Sequence, residues 1–155
     1  MIPGKIITPE PRHLIELAAN MRQEDIAEVW ALSHMGPLEA LTISVDASSA
    51  PRAWVVNNQV VTMFGVAHET QLSGFGIPWL LASTQVKKLW RPFLRGSKMI
   101  AKEWQSRYPA LRNRVDARHK DAVAWVNWMG FTMKPAEPFG PDGVPFHEFE
   151  WVQNA

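Results

Sequence analysis

The chain has 155 residues, 46% of them hydrophobic, with a net charge of +1 and no cysteine. That length fits one domain able to bury roughly two-thirds of its unfolded surface. The near-neutral charge gives no strong field toward nucleic acid or an anionic membrane, and the missing cysteines exclude disulfides, thiolate metal sites and cysteine nucleophiles.

No apolar run approaches the roughly 20 residues of a membrane span, and the first residues, MIPGKIITPEPRH, lack a signal-peptide core. These features fit a protein made in the cytoplasm and kept there or packaged from it. Eight tryptophans stand against one tyrosine. They serve either as packing residues, each needing a partner for its N–H, or as an aromatic assembly surface.

Lys5–Thr8 is a short β-type run stopped by Pro9 and Pro11. A helix from Arg12 places Leu14, Leu17, Ala18 and Met21 on one face, and Asn20–Gln23 reads as a break. A second helix, Glu24 to Ser33, repeats the spacing with Ile26, Val29 and Trp30. Gly36-Pro37 ends it and starts a third, Leu38 to Val45, with a loop over Asp46–Pro51. The period then changes. Ala53–Val56 and Val60–His68 are β-rich runs separated by the turn Asn57-Asn58-Gln59, with Gly65 marking a bulge or a close backbone approach. A loop is expected over Glu69–Gly76. Pro78–Ala82 is a continuous apolar strand, hence central and covered on both faces.

Gln85–Tyr108 is helical, with the main helix starting near Pro92 and turning Phe93, Gly96 or Ser97, Ile100 and Trp104 inward. Leu111 to Val115 alternates as a strand, Asp116 to Lys120 is a turn, and Ala122, Trp125, Val126 and Met129 share one helix face. Gly130 follows where a left-handed residue ends the helix, with Phe131 placed to fold back onto Val126. Pro135–Pro145, with four prolines and two glycines, is expected to be an irregular loop, and Phe146–Trp151 is the last strand. The order predicts an α/β fold with a mixed sheet in a single domain, 1–155. Its centre is a β-α-β-α unit.

Strand, turn, helix and Gly-Phe over Leu111–Phe131 resemble the C-terminal half of the GNAT (GCN5-related N-acetyltransferase) fold. Active members carry roughly Asn-x-x-Ala-x-x-x-Tyr-x-x-x-Gly-Phe. Ala122, Gly130 and Phe131 match; His119 stands at the asparagine position and Val126 at the tyrosine position. The resemblance implies a mostly antiparallel central sheet flanked by helices. The missing tyrosine removes the residue that protonates the leaving thiolate in many members.

Seven segments in order are also similar to a podophage internal virion protein family described as acetyltransferase-like: Arg22–Ala31, Pro37–Leu41, Met63–Val66, Pro78–Ala82, Leu111–Asp116, Trp125–Phe131 and Pro145–Phe149. This resemblance implies a phage-encoded protein, a virion component or a GNAT-like enzyme. Its expected partners are other phage virion proteins, with self-association open. The expected location is the virion, after assembly from the host cytoplasm.

An acetyltransferase of this fold needs a pyrophosphate cradle for acetyl-CoA, roughly Arg/Gln-x-x-Gly-x-Gly/Ala at a helix N-terminus. Ser83–Ser97 stands there with one glycine, Gly96, and with Trp90, Pro92 and Phe93 where small residues belong. In the enzyme reading, Leu80, Leu81 and Ala82 pair with the pantetheine arm, Arg91, Arg95, Gly96 and Ser97 hold the pyrophosphate, and Glu69 or His119 handles protons. Each has a plainer role: a solvated basic face for the arginines, a loop residue for Glu69, a capping residue for His119. The degenerate cradle favours a structural protein without catalysis or cofactor over a divergent acyl-CoA-dependent N-acyltransferase. The five histidines lack metal-ligand spacing, and no Gly-x-Ser-x-Gly elbow is present. The basic residues between aromatics at Lys87–Arg95 and Arg112–Arg118 are a weak match to a single-strand nucleic-acid surface.

Overall fold

A computed structural model describes residues 2–68 and 74–154. Strand β1 is Lys5–Ile7. Three helices follow: α1 (Pro11–Asn20), α2 (Gln23–Ser33) and α3 (Pro37–Ala47). Strands β2 (Arg52–Val56), β3 (Gln59–Ala67) and β4 (Phe75–Ala82) lead through a 3₁₀ turn, Thr84–Lys87, into α4 (Trp90–Arg107). Then come β5 (Ala110–Asp116), α5 (Lys120–Trp128), β6 (Thr132–Met133), β7 (Glu137–Phe139) and β8 (Val144–Val152).

The strands form one sheet in the order β1-β2-β3-β4-β5-β8-β6, with β7 also on β8. Every neighbouring pair is antiparallel except β4 and β5, whose register is only Phe75↔Ala110 and Gly76↔Leu111. Beyond those two pairs the central strands part, leaving a gap. One core cluster, with Trp54, Phe64, Phe93, Trp104, Leu111 and Val126, lies under α4 and α5. The other, with Leu14, Leu17, Leu41, Met63 and Leu81, lies under α1 and α3. The mixed α/β architecture expected from the element order is the one observed.

Several boundaries differ from the sequence reading for local reasons. Asn57 and Asn58 both take positive φ (51° and 62°), so the β2–β3 turn is two residues and Gln59 joins the strand. The pairing irregularity falls at Trp54/Val55, while Gly65 marks a close approach to Ser48 Oγ and Trp79 Nε1. Strand β4 begins at Phe75, where Phe75 and Gly76 pair with Ala110 and Leu111 of β5, and Gly76 lies so close to Val66 that a methyl group there would overlap it. The proline-rich stretch is a hairpin: β7 pairs β8 from Glu137↔Phe146 to Phe139↔Val144, with Gly140 and Gly143 at positive φ in the turn. Pro138 sits on the edge strand β7, which tolerates a missing N–H.

The end of α5 follows the expected pattern. Gly130 has φ 92°, and Phe131 N–H reaches back to Val126 C=O at 3.4 Å, the long-range bond of a glycine-terminated helix.

Candidate functional site in the gap between the central strands

The corner between α1 and α2 is two extended residues, Met21 and Arg22, that lie against the end of β4. Met21 bridges Ser83, and Arg22 N–H donates to Ala82 C=O at 3.0 Å. One turn into α2, Asp25 turns inward. Its Oδ2 accepts Ala82 N–H at 2.7 Å, and its Oδ1 accepts Arg22 Nε at 3.1 Å. Both backbone groups of Ala82 on its gap-facing edge are therefore held by α2.

His119, the N-cap of α5, lies 2.7 Å from the same Oδ1 through Nε2. Its Nδ1 accepts Ala122 N–H at 3.3 Å, which assigns the ring proton to Nε2 and makes that nitrogen the donor to Asp25. Arg22, Asp25 and His119 are all more than nine-tenths buried. Asp25 thus bridges β4 to the start of α5 across the gap.

Glu28, one turn further, accepts Asp116 N–H at 2.9 Å at the end of β5. The residue keeps part of its surface open to the gap while its carboxyl is packed round by protein. Burial pushes that carboxyl up from 4.5 to about 7; the Asp116 bond opposes this and the Asp25 charge adds to it. Asp116, buried itself, accepts Arg118 Nη2 at 2.7 Å, and this bond raises the Arg118 pKa above its ordinary value. One helix face therefore ties the ends of both parted strands.

The gap encloses a cavity of about 230 Å³, lined by Arg22, Glu28, Leu80, Asn113, Phe93 and Trp125 among others. Asn113 Nδ2 donates to Pro78 C=O at 2.7 Å, bridging the gap where Pro78 has no N–H to offer. By the alternation of an antiparallel strand, Leu80 turns its amide and carbonyl the same way as Ala82, toward the gap. Leu81, opposite Met63, turns its groups to β3.

The other sequence-predicted residues are scattered. Glu69 lies outside the described residues. Arg91 and Arg95 are exposed on α4. Gly96 sits mid-helix against Ile2, and Ser97 is buried, donating to Phe93 C=O at 2.8 Å and accepting Trp125 Nε1 at 2.9 Å. Gly96 and Ser97 are packing residues of a helix whose first turn begins earlier, at Trp90, and so form no cradle. His119 is a cap and a tie to α2 with both ring nitrogens engaged, which is the capping role set beside the proton-handling one. Tyr108 caps the end of α4 beside His68 (ring centroids 5.5 Å apart), away from the gap lining.

Part of what this fold would offer acetyl-CoA is already engaged within the chain. A pyrophosphate cradle needs free amides, yet four of those between β4 and α4 are bonded internally. Gln85 N–H goes to Ser83 Oγ, Val86 N–H to Ser83 C=O, Lys88 N–H to Gln85 C=O and Leu89 N–H to Val86 C=O. At the helix start stands Trp90, and Pro92 lacks a donor. Of the three strand-end residues expected to meet a pantetheine arm, Ala82 is held by Arg22 and Asp25, Leu81 turns to β3, and Leu80 keeps its backbone groups toward the gap.

The clasp formed by α2 is the feature that sequence reasoning missed. Arg22, Asp25 and Val29 share one helix face, but an Arg/Asp pair three residues apart normally reads as a solvated surface pair. The available signal was that this pair falls on the same stripe as the apolar Val29.

No protein-family model and no curated protein sequence matches the chain. Solved structures do. Ard1 of Thermoplasma volcanium superimposes with a TM-score of 0.73 at 12% identity, covering 99% of this chain and 100% of its own. A GNAT-family acetyltransferase of Streptococcus pneumoniae gives 0.62 at 16% identity, covering 96% and 99%. The yncA protein of Salmonella typhimurium, solved with its cofactor acetyl-CoA, gives 0.67 at 10% identity, covering 97% and 88%. At these identities the likeness is one of architecture, and the chain has the GNAT acetyltransferase fold.

Proposed function

We propose that this chain is a non-catalytic protein with the GNAT fold, and that it serves as a bacteriophage virion component by binding other virion proteins. The observation that carries the first half is the capture of Ala82: its N–H is held by Asp25 and its C=O by Arg22 N–H. The phage reading rests on the seven short sequence segments. A surface for such contacts is at hand on α2 and the β7–β8 hairpin. Trp30 is 51% exposed and stacks on His34 with centroids 4.6 Å apart, and His34 Nε2 lies 2.9 Å from Asp142 Oδ2 in the hairpin turn.

A second reading, an acyl-CoA-dependent N-acyltransferase with a divergent cofactor loop, is favoured by one observation. Glu28, with its carboxyl pushed up to about 7, lines the cavity beside Leu80, where a base that works near neutrality is placed in an acyl-transfer site.

A thermal melt with acetyl-CoA separates the two. A ligand at 100 times its dissociation constant adds about 2.7 kcal/mol to stability, so unchanged melting at millimolar acetyl-CoA is expected. A saturable rise would transfer the case to the enzyme reading. Mass spectrometry of purified particles is expected to find the chain at fixed stoichiometry, and its absence there would remove the virion assignment.

A further inference from the structure

The clasp leaves one strong donor unused. Asp25 takes only the Nε side of the Arg22 guanidinium, and Nη1, fully buried, has no hydrogen-bond partner among the described residues. A buried guanidinium nitrogen without a partner is costly, and native structures rarely keep one unless something else meets it. Arg22 also lines the cavity in the gap, together with the rings of Trp90, Phe93 and Trp125. Those rings form a continuous stack: Trp90 and Phe93 lie 5.1 Å apart and Phe93 and Trp125 5.9 Å apart, centroid to centroid. The cavity, about 230 Å³, exceeds the roughly 150 Å³ that admits a benzene ring.

We propose that this cavity is a receptor for a carboxylate carried on an apolar, ring-sized body, anchored by the Nη1–Nη2 edge of Arg22. A guanidinium presents two flat edges, and each can take a carboxylate. Asp25 occupies one edge, and its own charge is already met by Ala82 N–H, His119 and Arg22 Nε. The aromatic stack receives the apolar body. Of the other carboxyls in the lining, Glu28 and Asp121, burial pushes Glu28 up to about 7, so it repels an incoming anion less than an ordinary glutamate does. The site is distinct in chemistry from a coenzyme A site, which needs free strand and helix-start amides. The same carboxylate can come from a free small acid or from the C-terminus of a polypeptide.

The test is a protein-observed NMR titration of the full chain with 3-phenylpropionate and, separately, with 3-phenylpropanol, its neutral counterpart. The acid is expected to shift the Trp125 and Arg22 side-chain resonances saturably and to bind at least 10-fold tighter than the alcohol. Arg22→Lys, which keeps the charge but loses the flat edge, is expected to weaken the acid at least 10-fold and to leave the alcohol unchanged. Equal binding of acid and alcohol to the wild-type chain, or no shift with the acid at 10 mM, would overturn the assignment whatever the variant does. A tetrapeptide ending in phenylalanine, as free acid and as amide, identifies the source. Tighter binding of the peptide acid than of 3-phenylpropionate assigns a polypeptide terminus, and weaker binding assigns a free acid. The titration contains no coenzyme A, so its outcome is independent of whether acetyl-CoA binds.

Discussion

At the scale of single residues, the polar ties of α2 carry the account. Replacing Asp25 with alanine strips Ala82 N–H, His119 Nε2 and Arg22 of one shared buried acceptor. Breaking a buried, hydrogen-bonded ion pair costs about 3–5 kcal/mol, and urea denaturation of Asp25→Ala is expected to show a loss of that size. Glu28 makes a prediction with a sign. Its folded pKa of about 7 lies above the ordinary 4.5, so the folded state holds the proton more tightly. That contribution is fully present below about pH 4.5 and is lost as pH rises through 7. The shift corresponds to about 3 kcal/mol, reduced to about 1–2 kcal/mol by the side chain's partial exposure to the gap. Glu28→Gln, whose amide oxygen still accepts Asp116 N–H, is expected to match the wild type at pH 4 and to exceed it at pH 8. Equal stability at both pH values would remove the buried-carboxyl description. Beyond the shared stripe of Arg22, Asp25 and Val29, little of this was legible beforehand, because sequence spacing does not reveal which face of α2 meets two strand ends far away in the chain.

At the scale of elements, the sequence was most informative where a local rule is strong. Gly130 and Phe131 announced the end of α5, and the observed φ of 92° and the return bond to Val126 are what that pattern requires. Gly130→Ala, placing a side chain at positive φ, is expected to cost about 1 kcal/mol by denaturant unfolding. An unchanged midpoint would mean that the helix ends another way. The periodicity of α1 and α4 also located their buried faces: Leu14 and Leu17 in one, Phe93, Ser97 and Trp104 in the other. The reading failed where tertiary pairing overrides composition. Four prolines and two glycines read as irregular loop, yet β8 supplies a partner that makes 137–139 a strand. The segment 69–76 read as loop to its end, yet pairing with Ala110 and Leu111 of β5 extends β4 back to Phe75. The break expected at 20–23 was correctly placed, but its role as a short extended piece on β4 depends on a residue about sixty positions away.

At the scale of the molecule, the fold is two antiparallel blocks joined at the centre by two parallel residue pairs, Phe75↔Ala110 and Gly76↔Leu111. Such a junction is weak in strand hydrogen bonds. Tight packing at Gly76 and the clasp of α2 reinforce it from opposite ends. Gly76→Ala forces a methyl group onto Val66 and near Tyr108 and Leu111. Overpacking of this kind costs about 1–3 kcal/mol, and a lowered thermal midpoint is the expected readout. On the non-catalytic reading proposed above, the hold of α2 on Ala82 and the internal amide bonds of the 3₁₀ turn keep a cofactor out of the gap. The most direct test of that claim is an NMR titration of the isotope-labelled chain with acetyl-CoA up to 5 mM, following the backbone amides of Leu80 and Ala82. Both are expected to stay where they are; saturable movement of the pair would show that a cofactor displaces Asp25 from the strand and would contradict the account.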